Sequence, residues 1–289
     1  MPDASRPLPE SPAALAGEAG WRARLALGFT CEDGHTRLTR RGHEGPLVVQ
    51  RPLYPEGEGV CQCIIVHPPG GIAGGDRLAL TVDVGPRAHA QLTTPGAAKW
   101  YRSGGKPAEQ QIHFRVADGA VLEWLPHGGI VFDDADATTT ARIELEGGAA
   151  YVGWDVVCLG RTASAERFRT GGWRQRVDIV RDGALVWSER LSLRGGAKLL
   201  ISPAGLNGAP VFGTFVVMAA TIDDPMLAAC RGLAPAEGHG TVTRLPGALV
   251  ARYRGDATEA AHDYFAALWT TLRPHAAGRA AVRPRIWRT

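Results

Sequence analysis

The chain has 289 residues, 45% of them hydrophobic and 21% charged, which is enough apolar mass for a packed core and too much for a disordered protein. Its 32 basic and 29 acidic side chains nearly cancel, and the densest basic run (279–288) is short and interrupted by proline, which argues against nucleic acid as a partner. No apolar run reaches the roughly 18 residues that a membrane helix needs, and five irregularly spaced cysteines point to reduced thiols in the cytoplasm rather than a disulfide framework.

The first 20 residues are rich in Pro, Ala, Ser and Glu and lack an apolar h-region, so they read as a disordered leader and not as a signal peptide. From Trp21 to Ala220 the hydrophobic period is two. Leu25, Leu27 and Phe29 alternate with polar or small residues, as do Ile112, Phe114 and Val116, so this region is all-β. Within it, strand–glycine turn–strand units recur at Gly85, Gly119, Gly148 and Gly183. Two architectures fit them: unrelated hairpins, or coils that each add a layer to a stacked β structure. Helix enters only near the C-terminus. Asp223-Asp224-Pro225 predicts a helix start, residues 241–254 a hairpin around Leu245-Pro246-Gly247, and residues 258–272 a second helix that ends before Pro274. On that helix Tyr264, Leu268 and Leu272 share a face with Phe265 and Trp269 beside them, a packing stripe.

The most distinctive stretch is His67-Pro68-Pro69-Gly70-Gly71-Ile72-Ala73-Gly74-Gly75-Asp76. Prolines stop the strand that reaches His67, and the glycines permit positive φ and close backbone approach. A phosphate loop would need a helix after the glycines. Leu78, Leu80, Val82 and Val84 instead alternate with polar residues, which predicts a strand. Upstream, Cys61, Cys63, Ile65 and His67 fall on one strand face, but a soft-metal site needs further ligands that are not visible, so structural thiols are the better reading.

No nucleophile–base motif is present. Three acids lie inside apolar strands: Glu123, Asp155 and Glu189. A charge in such a strand costs several kcal/mol unless it is paired, and Arg161 and Arg190 are nearby candidates. If the glycine-turn units stack, the acids could form a column suited to a cation path. A competing reading is a β-rich hydrolase using paired carboxylates such as Asp133 and Asp155.

The glycine-rich loop resembles the signature of the UreD (in some organisms UreH) family of urease accessory proteins. Similar in kind and in family order are residues 46–55, 93–103, Leu122-Glu-Trp-Leu-Pro126, 159–166, 268–274 and Pro284-Arg-Ile-Trp287. One departure is Ala165, where the family pattern Gly-Arg-x-x-x-Gly-Glu has its second glycine, which bears on the turn before Glu166. The resemblance implies a single domain over 21–289, mainly β, with a stacked β-helix-like body and two C-terminal α-helices. It further implies a non-enzymatic maturation factor that works with UreF, the GTPase UreG and apo-urease. No cofactor would be permanently bound, and nickel(II) would pass in transit. Asp76, Asp155, Glu189 and Glu166 are the candidate metal-path residues.

Overall fold

The computed structural model describes residues 20–219 and 222–288. The expected leader lies, but for Gly20, outside the described residues. The chain opens with a hairpin, β1 (Arg22–Glu32) and β2 (His35–Glu44), and the short β3 (Val48–Val49). It then winds between two facing sheets. β4 (Cys61–Val66) joins the larger sheet, β5 (Arg77–Val84) the smaller, and β6 (His89–Thr93) returns to the larger. β7 (Ala98–Trp100) makes a short third side. β8 (Ala108–Val116), β9 (Val121–Leu125) and β10 (Gly129–Val131) repeat this coil, and β11 (Asp136–Leu145) and β12 (Ala150–Leu159) begin it again. Equivalent strands are parallel neighbours, so like positions stack: Val82, Phe114, Ile143 and Ile179 form one inward row, and Ile72, Trp100, Val131 and Leu159 another.

The corners at Gly85, Gly119 and Gly148 carry the chain from one sheet to the other, as stacking requires. The turn at Gly183 does not. β13 (Gly172–Arg181) and β14 (Ala184–Arg194) form an antiparallel hairpin within the smaller sheet, with a bulge at the Ile179/Val180 step. Sequence alone cannot separate the two, because Asp-Gly serves a corner and a hairpin equally well.

After a single helical turn, α1 (Lys198–Ile201), β15 (Val211–Met218) extends the larger sheet antiparallel to β12. Next come α2 (Asp224–Arg231), capped by the Asp223 carboxylate accepting from the Met226 N–H at 2.8 Å, and the hairpin of β16 (His239–Leu245) and β17 (Ala248–Gly255). α3 (Thr258–Ala277) closes the fold. It runs past Pro274 to Gly278, whose φ of +65° ends it. Buried Arg273 and Ala276 hold the last turn against the body, so tertiary contact overrides the proline there.

The strand order is β14-β13-β11-β8-β5-β1-β2 in the smaller sheet and β16-β17-β15-β12-β9-β6-β4-β3 in the larger. One apolar core lies between the sheets, and a second lies between the larger sheet and the two longer helices. In the second, Phe265 stacks on Phe215 at 5.8 Å, and Trp269 is fully buried against Trp287.

Trp269→Ala removes a buried aromatic and also the indole N–H that donates to Glu123 at 2.6 Å. Destabilisation of about 3–5 kcal/mol is expected in urea denaturation. An unchanged midpoint would show that α3 is not docked through this face.

Candidate functional site

The alternation of a strand sends neighbouring residues to opposite sides of a sheet, and the three acids found in apolar strands divide accordingly. Glu123 on β9 points away from the coil interior, under α3. Its carboxylate accepts from Arg273 Nε at 3.1 Å, from His89 Nε2 at 2.6 Å and from Trp269 Nε1 at 2.6 Å. Burial would raise its pKa, but His89 and Arg273 outweigh that and hold it well below the usual carboxylate range. Glu123 is therefore part of a structural ion pair. Its partner is Arg273 from the far end of the chain, not Arg161 or Arg190.

Asp155 on β12 points the other way, into a cavity of about 440 Å³ between the two sheets. Glu189 on β14 reaches the same cavity from the opposite sheet. The two carboxylates thus face each other across the sandwich. They do not form a column along one sheet, because the Gly183 turn is a hairpin and Glu123 faces outward. Walls of Trp100, Trp124, Tyr151, Trp173 and Trp187 surround them. Gln175 Nε2 donates to Asp155 Oδ2 at 2.6 Å, and Thr214 Oγ1 lies 3.3 Å from Glu189 Oε1. Burial, with Glu189 adding repulsion, pushes the Asp155 pKa up to about 6. The indole N–H groups of Trp173 and Trp187 and Nε2 of His67 are buried, belong to residues lining the same space and have no hydrogen-bond partner among the described residues.

The glycine-rich loop forms one rim of the cavity through His67, Gly70 and Gly71. Gly75 takes φ +92°, and a Cβ on Gly74 would lie 1.9 Å from the Ser103 carbonyl oxygen, so glycine is required at both positions. Asp76 closes this loop on itself. Its two oxygens accept from the N–H groups of Trp21 and Ala73, each at 2.8 Å. Glu166 is likewise engaged, accepting from Arg161 Nε at 2.9 Å and Nη2 at 3.0 Å. Ala165 before it adopts φ +56°, so the turn survives the loss of glycine. Neither Asp76 nor Glu166 lines the cavity. The structure brings together Asp155 and Glu189 and places the other two candidates elsewhere.

Asp133 caps the backbone N–H groups of Arg169 and Thr170 at 2.7 and 2.8 Å and is not part of the cavity wall, so the acid–base pair of a hydrolase with Asp155 is not assembled. Cys61 and Cys63 are buried free thiols, with Cys61 contacting the Tyr54 hydroxyl at 3.6 Å. Among the described residues no three His, Cys, Asp or Glu side chains converge as a metal cluster, and no helix is long and apolar enough to cross a membrane.

The family model of the UreD urease accessory protein matches residues 21–288. The chain belongs to the UreD family. Among its relatives, the urease accessory protein UreD of Azoarcus sp. (strain BH72) is 50% identical over 274 residues, covering 95% of this chain and 96% of that one. UreD of Dechloromonas aromatica (strain RCB) is 51% identical over 276 residues, covering 93% and 95% respectively. UreD 2 of Pseudomonas syringae pv. syringae (strain B728a) is 52% identical over 270 residues. Membership gives this chain a role in urease maturation, and its relatives are named as accessory proteins rather than as enzymes.

Sequence pattern reached Asp155 and Glu189 but missed Gln175, Thr214 and the unpartnered indoles of Trp173 and Trp187. The signal available was the tryptophan content of the inward strand positions, which hold four of the chain's eight tryptophans: Trp100, Trp124, Trp173 and Trp187.

Because the folded pKa of Asp155 lies above its ordinary value near 3.8, ionising it costs folded-state stability. The cost is absent below pH 4, grows between 4 and 6, and is complete above 6. Asp155→Asn is therefore expected to be about 1–3 kcal/mol more stable than the parent chain at pH 7.5 and equal to it near pH 4, as measured by denaturation at the two pH values. A pH-independent difference would mean the carboxylate is solvated.

Proposed function

We propose that this UreD-family chain is a non-enzymatic scaffold and nickel conduit in urease maturation, acting with UreF and UreG on apo-urease. The observation that carries the conduit reading is the meeting of Asp155 and Glu189 in one cavity between the sheets. Hard carboxylate oxygens hold a divalent cation while letting it exchange, whereas closed thiolate or imidazole sites retain it. Two carboxylates without a third ligand suit passage better than storage. At the rim the backbone of Gly70 is open, with nothing within 4 Å of where a Cβ would sit, which leaves room for a cation to enter. Asp155 and Glu189 are the path residues proposed here. Asp76 and Glu166, fixed by backbone and arginine, would shape the surrounding loops. Nickel(II) is cargo in this scheme and not a resident cofactor.

Deletion of the chain is expected to leave apo-urease present and inactive at limiting nickel. Asp155→Asn and Glu189→Gln should retain the fold and the association with UreF while lowering the nickel content of urease several-fold, read by metal analysis of the purified enzyme. Normal loading by both variants would remove these carboxylates from the path. Full urease activity in the deletion strain would overturn the maturation role.

A further inference from the structure

At the β14 end of the cavity an arginine occupies one of the two carboxylates. Asp155 on β12, Thr214 on β15 and Arg252 on β17 are directly paired across adjacent strands, so all three share the inner face of the larger sheet and form a polar row running from the interior to the sheet's margin. Neighbouring positions confirm the facing: Ala251 and Tyr253 pack under the helices, while Val250 packs between the sheets. The guanidinium of Arg252 ion-pairs with Glu189 and lies over the Trp187 ring, 5.9 Å from its centroid. Its Nη1 also reaches Thr214 Oγ1 at 3.4 Å.

The two partners differ in exposure. The side chain of Arg252 is 51% exposed and that of Glu189 is 20% exposed. The arginine therefore comes in from solvent to a carboxylate set back in the cavity. A long, half-exposed side chain held in this way gains little net energy, since such pairs are worth about 0–1 kcal/mol, and it can swing out at low cost. A divalent cation at Glu189 carries twice the charge and would be repelled by the guanidinium while it stays.

We infer that Arg252 is a tethered counter-ion that gates the β14 end of the cavity. It neutralises Glu189 when no metal is present and is displaced outward by an arriving divalent cation, then returns to expel it. Arg252 is thus a positioning residue acting through Glu189. The inference rests on the conduit reading, since it requires a cation at Glu189. It explains why Glu189 has a cationic partner while Asp155, deeper in the same row, has only the neutral Gln175 amide and a local backbone N–H.

The test uses the purified full chain and its Arg252→Met, Arg252→Lys, Glu189→Gln and Arg252→Met/Glu189→Gln variants, with nickel(II) binding measured by calorimetry and release to a chelator measured by stopped flow. Arg252→Met keeps the stem over Trp187 and removes the charge. It is expected to bind nickel(II) about three- to fivefold tighter and release it correspondingly more slowly, whereas Arg252→Lys stays near the parent chain. In the double variant the gain should vanish, because there is no carboxylate left to unmask. Unchanged or weaker binding by Arg252→Met, while Glu189→Gln is impaired, would overturn the gate and leave the conduit standing. If no variant, Glu189→Gln included, differs from the parent chain in nickel binding, both the gate and the role of Glu189 in the conduit fall.

Discussion

The buried pairing of Glu123 with Arg273 couples the β body to its helical cover. Arg273 comes from α3 and Glu123 from the middle of the larger sheet, and both are shut off from water. A second carboxylate, Glu56, accepts from the same guanidinium at 2.6 and 2.8 Å, which pins the loop before β4 to the same point. Charges so deep are tolerated only when nearly every donor and acceptor is satisfied. Here His89, Trp269 and the Ala280 carbonyl complete the set, and Gln91 and Gln62 continue it along the sheet. Removing Arg273 would leave two carboxylates, Glu56 and Glu123, without their shared cation in a low-dielectric layer, a loss of about 3–5 kcal/mol. The helical layer is thus registered on the sheet by a point contact of high specificity as well as by apolar area.

With the outer face fixed by α3, the inner face of the same sheet is free to border a cavity. Trp124 pairs with Gly153, so a shift of one residue along β9 and two along β12 separates an acid under the helix from an acid in the cavity. The outward acid is held ionised by neighbouring cations. The inward acid meets aromatic walls and a second carboxylate, so its charge is disfavoured. Two carboxylates on adjacent strands therefore carry opposite perturbations, set only by which face of the sheet they occupy.

Local pattern was enough to read the β character, the positions of the glycine turns, the Asp223 cap and the hydrophobic face of α3, because each is decided within a few residues. The two architectures open at the glycine turns were resolved only by long-range pairing: three turns are corners and the fourth is a hairpin. Arg273 was invisible as the partner of Glu123 because 150 residues intervene and the nearer arginines fitted sequence distance better. Pro274 looked like a stop, yet burial of the residues around it carries α3 through to Ala277. Asp155 and Glu189 were legible as buried acids, but their meeting required two sheets, and Arg252 carried no local signal at all.

The acids of this fold sort by how completely they are satisfied. Asp76 holds two backbone N–H groups, Asp133 holds two backbone N–H groups and a hydroxyl, and Glu166 holds a guanidinium at two points. Such groups act as staples, and replacing any of them would be felt first in stability. Asp155 is enclosed just as firmly but has no cation within ion-pair reach among the described residues, and its ionised form lowers stability at neutral pH. A structural role would favour the amide, which is nearly the same size, accepts the same Gln175 bond and carries no penalty. A carboxylate at this position, where asparagine would be more stable at neutral pH, fits the proposed conduit, in which the charge of Asp155 and of the carboxylate opposite would meet a cation entering from outside.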